Sequence, residues 1–449
     1  MPLLNYDLAY GGRAAQKDEK EHWVVVAKRG VSTAKLEELC KSVKGCERVG
    51  HPSEGGVPFF EVHSTEEELE QVLALAPGQM EFAEPDGMFY LDPEESVEPA
   101  QSKSWGLDRV DAPNRFATGE GAHIYVLDTG IRISHTDFGN RASHAIDLTS
   151  NTVRECNGEP DCGNDAQGHG THCAGTAGGA EFGVAIGAKI YSAKVLSDQG
   201  GGSSWSWSYD ALDWLATKSS RPAVSSMSLG GSGTQDAMRV AVDTAVAAGV
   251  VVVVAAGNSN RDACFFSPAF VPSAVAVGST DRADWRSVFS NFGACTQIWA
   301  PGSDIVSLSH LSDTGSRSLS GTSMACPHVS GGAALVFEGN PQKTPAEVLS
   351  DLLDRSEKNS LTNLRPGDTN ALLWVGSNPA PVPAPTPAPP PALECPDFAA
   401  SRQPDRDGDC QCANRFLCST DRTTRNCPSS GGKMLRPRSG IIHPLKERR

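Results

Sequence analysis

The sequence predicts an α/β protein: a large parallel sheet with helices on both faces, preceded by a small α+β (split βαβ) domain and followed by a Cys-rich module. Three observations carry this. Continuous Val/Ile runs alternate with helical stretches between about residues 104 and 375. Ahead of them a Glu-rich stretch runs in the order βαββαβ, with one strand weakly marked. Behind them, eight prolines in residues 379–392 precede five cysteines between Cys395 and Cys427.

The elements follow in order. In the N-terminal domain, 23–28, 59–64 and 80–83 read as strands, and 32–44 and 66–75 as helices. The second helix carries a capping signal, with Ser64 as cap and Glu67 three residues on. In the large domain, strands are expected at 123–127, 189–196, 224–229, 250–256 and 274–278. Helical patterns fit 208–218, 235–248 and 346–355. The proline run is a polyproline-type spacer of about 40 Å. The 449 residues suit two to four units. They divide as an N-terminal extension (1–21), the small domain (22–97), the large domain (104–375), the linker (376–393), the Cys-rich module (394–428) and a basic tail (429–449).

Charge and composition exclude several classes. The net charge of −15 disfavours nucleic-acid partners. Residues 394–449 hold eleven Lys/Arg against seven Asp/Glu, a net +4, which leaves −19 for the rest. The longest apolar run, 246–256, is about half of what a bilayer span needs, so it reads as a buried strand. Thirteen cysteines leave at least one unpaired in a monomer. Their density near the C-terminus reads as a stapled secreted module, although residues 1–21 do not look like a signal peptide.

Three motifs sit where strands end or helices start, the side of such folds that carries chemistry. Leu127-Asp128-Thr129-Gly130 closes an apolar strand. Gly168-His169-Gly170-Thr171-His172 holds a histidine between glycines. Gly321-Thr322-Ser323-Met324-Ala325-Cys326-Pro327-His328 places a serine at the opening of a helix that contains a proline. Singly, these read as a turn aspartate, a tight turn and a helix cap. Together they supply an acid, a base and a nucleophile. A serine hydroxyl is a poor nucleophile until a histidine accepts its proton and an acid fixes that histidine's tautomer. Ala255-Ala256-Gly257-Asn258 closes the most buried strand, and an amide there can donate to a developing oxyanion.

On these motifs the chain resembles a subtilisin-like serine protease, nearest the proteinase K-like branch, over about residues 104–375. The resemblance implies Asp128, His169 and Ser323 as triad and Asn258 as oxyanion donor. It implies Gly200, Gly201 and Gly202 with Ser228, Leu229, Gly230 and Gly231 as the two edges that sandwich an extended peptide, and Ala256 and Gly257 as pocket wall. Glu84-Pro85-Asp86 is similar to the close of the family's inhibitory propeptide. The implied partners are protein and peptide substrates, with the chain's own propeptide as intramolecular inhibitor and the protein a monomer. No acid reaches the pocket from these motifs, so apolar or aromatic side chains are favoured over Lys or Arg. An extracellular, secretory or vacuolar setting is expected.

Two rivals stand beside this reading. One is an inactive relative that binds peptides. The other is an aspartic protease using Asp128 and the second Asp-Thr-Gly at Asp313. Among the cysteines, Cys156 with Cys162 and Cys40 with Cys46 are close enough in sequence to pair. Cys264 with Cys295 resembles a disulfide of some proteinase K-like enzymes. Cys173 and Cys326 read as buried inert thiols. His172 and His328 read as core residues, His135 and His144 as loop residues. No cofactor is implied for the chemistry. Structural calcium is usual in the family, but Gln297 stands where one familiar site has an Asp, and the acidic loop at 405–409 lacks a distal Glu.

Overall fold

The computed structural model describes residues 20–89, 91, 104–150, 152–199 and 202–380, with the backbone of two short strands, Cys410–Cys412 and Phe416–Cys418, paired antiparallel. The chain divides into two compact units, Met1–Pro383 and Ala384–Arg449. The N-terminal extension, the 405–409 loop and most of the Cys-rich module lie outside the described residues.

The N-terminal domain comprises β1 (Glu21–Ala27), α1 (Thr33–Lys41), β2 (Cys46–Val49), β3 (Phe59–Ser64), α2 (Glu66–Ala74) and β4 (Met80–Pro85). Its strands order β2-β3-β1-β4, all antiparallel. The β1 sequence is apolar on both faces because both are covered. Trp23 and Val25 pack with Leu36, Leu39 and Leu69 of the two helices. Val24 and Val26 face the large domain. The α2 cap falls one residue later than its sequence signal. Thr65, not Ser64, accepts from Glu68 N, and Glu68 reaches back to Thr65 N. Ser64 is instead the last residue of β3.

A short strand β5 (Met88–Phe89) leads away, and α3 (Trp105–Arg109) opens the large domain. There follow β6 (His123–Asp128), β7 (Ala142–Asp147), β8 (Arg154–Glu155), α4 (His169–Gly178), β9 (Lys189–Lys194), β10 (Ser203–Ser204), α5 (Trp205–Lys218), β11 (Ala223–Met227), β12 (Gly231–Ser232), α6 (Asp236–Ala247) and β13 (Val250–Ala255). Then come β14 (Phe266–Ser267), β15 (Val275–Thr280), β16 (Ile298–Pro301), β17 (Ile305–Leu308), β18 (Ser316–Leu319), α7 (Thr322–Phe337), α8 (Pro345–Arg355), β19 (Glu357–Lys358) and β20 (Ala371–Leu372). The ten-stranded sheet runs β19-β20-β16-β15-β13-β11-β6-β9-β7-β8. All pairs are parallel except the outermost pair at each edge. This is the predicted architecture. In β13, Val251 and Val253 feed one core and Val250, Val252 and Val254 the other.

The two domains share that second core. Val24, Val26, Phe59 and Phe82 of the small domain pack in one cluster with Tyr209 and Leu212 of α5 and Met238 and Ala241 of α6. Polar groups ring the contact. Glu84 accepts from Asp236 N and Ala237 N at the start of α6. Asp86 accepts from Ser206 N and Ser204 Oγ at the start of α5. Two carboxylates thus satisfy the orphan N–H groups of two helices. Arg48 pairs with Glu61 of its own domain and Asp210 of α5. Asp213 accepts from His51 N and Val57 N.

Candidate active site

Asp128 ends β6 and His169 opens α4, so the parallel sheet delivers the acid and a helix delivers the base. Both are buried, at 0 and 1% exposure. Asp128 Oδ1 accepts from Thr129 N and from His169 Nδ1, each at 2.7 Å. Nδ1 therefore holds the proton, and Nε2 is left to accept one. The backbone turns into α4 at Gly168, whose φ of +108° admits glycine readily. A Cβ there would also lie 2.1 Å from His310 Nδ1.

Buried Asp165 organises that turn. It accepts from Gly168 N, Thr171 N and Thr129 Oγ1, and Thr129 Oγ1 in turn accepts from Gly170 N. One carboxylate thus locks the acid's loop to the base's helix. Sequence reading passed over Asp165; its signal is an acid four residues before His169.

Ser323 is the second residue of α7, 8% exposed, and its Oγ donates to Ser228 O at 3.3 Å. It is not the helix cap; Gly321 is. Pro327 lies inside α7, where proline typically costs about 3 kcal/mol. It lacks the N–H that would bond Ser323 O. That carbonyl instead accepts from Ser228 Oγ at 2.8 Å and Cys173 Sγ at 3.4 Å. The broken helix rule therefore ties Ser323 to the end of β11 and to α4. Cys173 Sγ also lies 3.8 Å from His169 Nδ1. Burial raises this thiol to about 11 and Cys326 to about 12, so both are inert as thiolates near neutral pH.

Asn258 follows β13. Its Oδ1 accepts from Thr322 N and Thr322 Oγ1, each at 2.8 Å, which turns Nδ2 the other way. A Cβ built on Gly321 would sit 3.4 Å from Asn258 Nδ2 and 3.6 Å from Ser323 N. Two N–H donors therefore converge beside the serine, over a residue with no side chain to cover them. Gly257, at φ +100°, leads into this turn, and a Cβ there would meet Asn291 Nδ2 at 2.4 Å.

The structure gathers most of the expected groove. Gly202 precedes β10, and β10 pairs antiparallel with β5 of the N-terminal domain. Phe89 of β5 stacks on Trp205, with centroids 4.1 Å apart. A Cβ on Gly231 would touch both, at 3.3 Å from Phe89 and 3.0 Å from Trp205. Ser228, Leu229 and Ala256 are buried beside them; Gly230 and Gly257 are partly open. Gly200 and Gly201 lie outside the described residues.

Other expectations resolve individually. Asp313 is held by Arg132 Nε at 2.7 Å and Ser134 Oγ at 2.6 Å, in a loop rather than beside Asp128. The two Asp-Thr-Gly motifs therefore form no shared-proton dyad. Disulfides join Cys40–Cys46, Cys156–Cys162 and Cys264–Cys295. His172 donates to Ile305 O and His328 to Met324 O. Burial lowers them to about 3 and about 4, so both stay neutral. His135 lies in a loop, as expected, whereas His144 lies on a strand. His135 is buried against Gly315 O, and His144 sits on β7 bonded to Ile131 O.

The familiar calcium position does not fit a cation. Ala276 N can only donate, so Gln297 Oε1 must face it, at 2.6 Å. That turns Gln297 Nε2, a donor, onto Pro272 O at 3.3 Å. An amide N–H thus takes the carbonyl a calcium ion would need.

With this geometry in view, known proteins give a consistent picture. A family model described as "Subtilase family" matches residues 119–372. The chain is 44% identical over 281 residues to an "Extracellular serine proteinase" of Thermus sp. (strain Rt41A), covering 60% of this chain and 66% of that one. It is 41% identical to "Alkaline serine exoprotease A" of Vibrio alginolyticus, over 66% of this chain and 55% of that one. It is 38% identical to a "Cuticle-degrading protease" of Metarhizium anisopliae, over 70% and 79%. The chain thus spans about two thirds of the Thermus protein and about half of the Vibrio protein. A crystal structure of a cold adapted subtilisin-like serine proteinase superposes with a TM-score of 0.56 at 42% identity, covering 61% of this chain and 98% of that one. The chain belongs to the subtilase family.

Proposed function

We propose that this subtilase is a serine endopeptidase made as a self-processing proenzyme, with Asp128, His169 and Ser323 as triad. The observation that carries the reading is the buried Asp128–His169 pair, at 2.7 Å, beside a helix-start serine flanked by two convergent N–H donors. His169 Nε2 takes the Ser323 Oγ proton as Oγ attacks the scissile carbonyl carbon. Asp128 holds the proton on Nδ1 and stabilises the imidazolium that forms. Asn258 Nδ2 and Ser323 N donate to the oxyanion, whose charge exists only in the transition state and tetrahedral intermediate. The imidazolium then protonates the leaving amine. Water, activated by the same histidine, releases the acyl group from Ser323 and restores the enzyme.

The N-terminal domain acts as the intramolecular inhibitor. Its β5 already lies as an added strand on β10, the mode by which extended peptides bind sheet edges. Phe89 against Trp205 supports an aromatic or apolar subsite in that groove. Structural calcium belongs elsewhere than at Gln297. The names of the relatives favour an extracellular setting, and among the described residues no helix is long and apolar enough to cross a membrane. The carboxyl-terminal unit lies beyond the subtilase match and is dispensable for peptide hydrolysis.

The test is N-terminal sequencing of purified protein, followed by peptide-library profiling. The expected chain starts between residues 92 and 105, and the Ser323→Ala chain stays uncut. Peptides with Phe, Leu or Tyr before the scissile bond exceed those with Lys or Arg by at least ~10-fold in kcat/KM, since a buried ammonium without an acid is costly. A start before His22 or after Asp128, or a preference for basic residues, would overturn this reading.

A further inference from the structure

On the sheet face that meets the large domain, the N-terminal domain carries a second polar cluster, remote in chemistry from the triad. His22 on β1 and His63 on β3 are direct cross-strand partners. Their rings stack with centroids 4.5 Å apart and planes within 10°. Glu47 lies on β2 at a register shift between Cys46 and Arg48, which turns an extra side chain toward them. One donor atom from each of His22, Glu47 and His63 lies within 4.8 Å of the other two. His22 Nδ1 is 3.3 Å from Glu47 Oε2 and 3.4 Å from Glu61 Oε1.

We propose that His22, His63 and Glu47 form a binding site for a divalent transition cation of the zinc class. Bonds of about 2.0–2.1 Å in a tetrahedron place neighbouring donor atoms roughly 3.3 Å apart, the separation already present between His22 and Glu47. Two imidazoles and a carboxylate suit Zn²⁺ and its neighbours, whereas Ca²⁺ and Mg²⁺ take oxygen donors. The side chains of His22 and Glu47 are 45% and 28% exposed, so an ion can enter and keep a water in the fourth position.

Behind the cluster stands Glu61, buried at 1% exposure. Its Oε1 lies 3.4 Å from the same His22 Nδ1 that faces Glu47, so it adds negative charge beside the ion. Glu61 is also the partner of Arg48, which holds Asp210 and Ser206 of α5. The ion therefore crosslinks β1, β2 and β3 within the domain, and Glu61 and Arg48 connect it to the large domain. Zinc should accordingly stabilise the full chain with its N-terminal domain in place.

The test uses the full-length Ser323→Ala protein, so that one uncut species is present. Zn²⁺ is titrated calorimetrically and Co²⁺ by its visible absorption, against the same protein carrying His63→Ala or Glu47→Gln. The parent should take up one more equivalent of Zn²⁺ than either variant, or bind it at least ten-fold more tightly, and an excess of Ca²⁺ should not compete. Zn²⁺ should raise the melting temperature of the parent but not of the variants. Glu47 is on the surface, so Glu47→Gln should match the parent's metal-free melting temperature and keeps the test valid if His63→Ala does not fold. Equal stoichiometry and affinity in parent and Glu47→Gln would overturn the proposal. That result would place any bound zinc elsewhere, at Asp128, His169 and Cys173 or in the Cys-rich module.

Discussion

Two polar clusters are buried in the same unit, and they are built on opposite stoichiometries. The pair in the large domain sets one acid against one base: Asp128 accepts from His169, and the surrounding N–H groups are tied by Asp165. The cluster at the domain junction sets three carboxylates, Glu61, Asp86 and Asp210, against the single guanidinium of Arg48. Burial raises Asp86 to about 7 and Asp210 to about 8, and repulsion from Glu61 adds to both. A single carboxylate facing a histidine that keeps its Nδ1 proton needs no extra proton to stay compact. A mismatched cluster stays compact by taking up protons, so its strength follows pH. On this account the acid–histidine pair is held within one domain, and the cluster with more carboxylates than cations spans the contact between two.

The sharpest way to break the comparison is to remove one half of the matched pair. His169→Ala should lower turnover by roughly 10⁶, and Asp128→Ala by roughly 10⁴, sizes borrowed from subtilisin triads. Stopped peptide hydrolysis with an unchanged melting curve is the expected reading. A His169 variant within ten-fold of the parent would dissolve the distinction between the two clusters.

Next in size is Asn258, the proposed oxyanion donor. Asn258→Leu should reduce kcat by roughly 10²–10³ with little change in KM, because the amide acts on charge absent from the ground state. A loss confined to KM would recast Asn258 as a substrate contact.

The smallest effect sharpens the other side. Asp86 and Asp210 have raised pKa values when docked, so the docked state holds protons the separated domain releases. Docking is therefore favoured at low pH and weakens as pH rises through about 7 to 8. His51 is also raised, chiefly by its hydrogen bond to Asp213 of α5, and its contribution likewise fades as pH rises. On the proposed self-processing, the N-terminal domain once cut should dissociate faster at pH 8.5 than at pH 6, by up to about ten-fold per pH unit for each proton released. Dissociation that is flat over this range, or slower at high pH, would contradict the assignment.

Much of this was legible in the sequence because burial on both faces leaves an unmistakable pattern. The β13 run of five valines is a strand in any fold that can cover it. The motifs around Asp128, His169 and Ser323 were legible because each combines a reactive residue with glycines that only a tight turn needs. What escaped notice lacked that contrast. The β7 segment Ala142–Asp147 carries Ser143, His144 and Asp147 and shows no clean alternation. The β16 strand has four residues and ends in proline. Asp165 looks like any loop aspartate until its loop closes on α4. Ser64 and Thr65 offer equal capping chemistry, and only the length of β3, set by pairing with β1, selects Thr65.

The central claim is that Ser323 is a nucleophile made reactive by the Asp128–His169 pair. Labelling of the purified protein with a fluorophosphonate, followed by mass mapping of the adduct, tests it most directly. The account predicts a single adduct on Ser323 in the parent protein and none within the same time in His169→Ala. An active protein that takes no label, or carries it on another residue, would contradict the account.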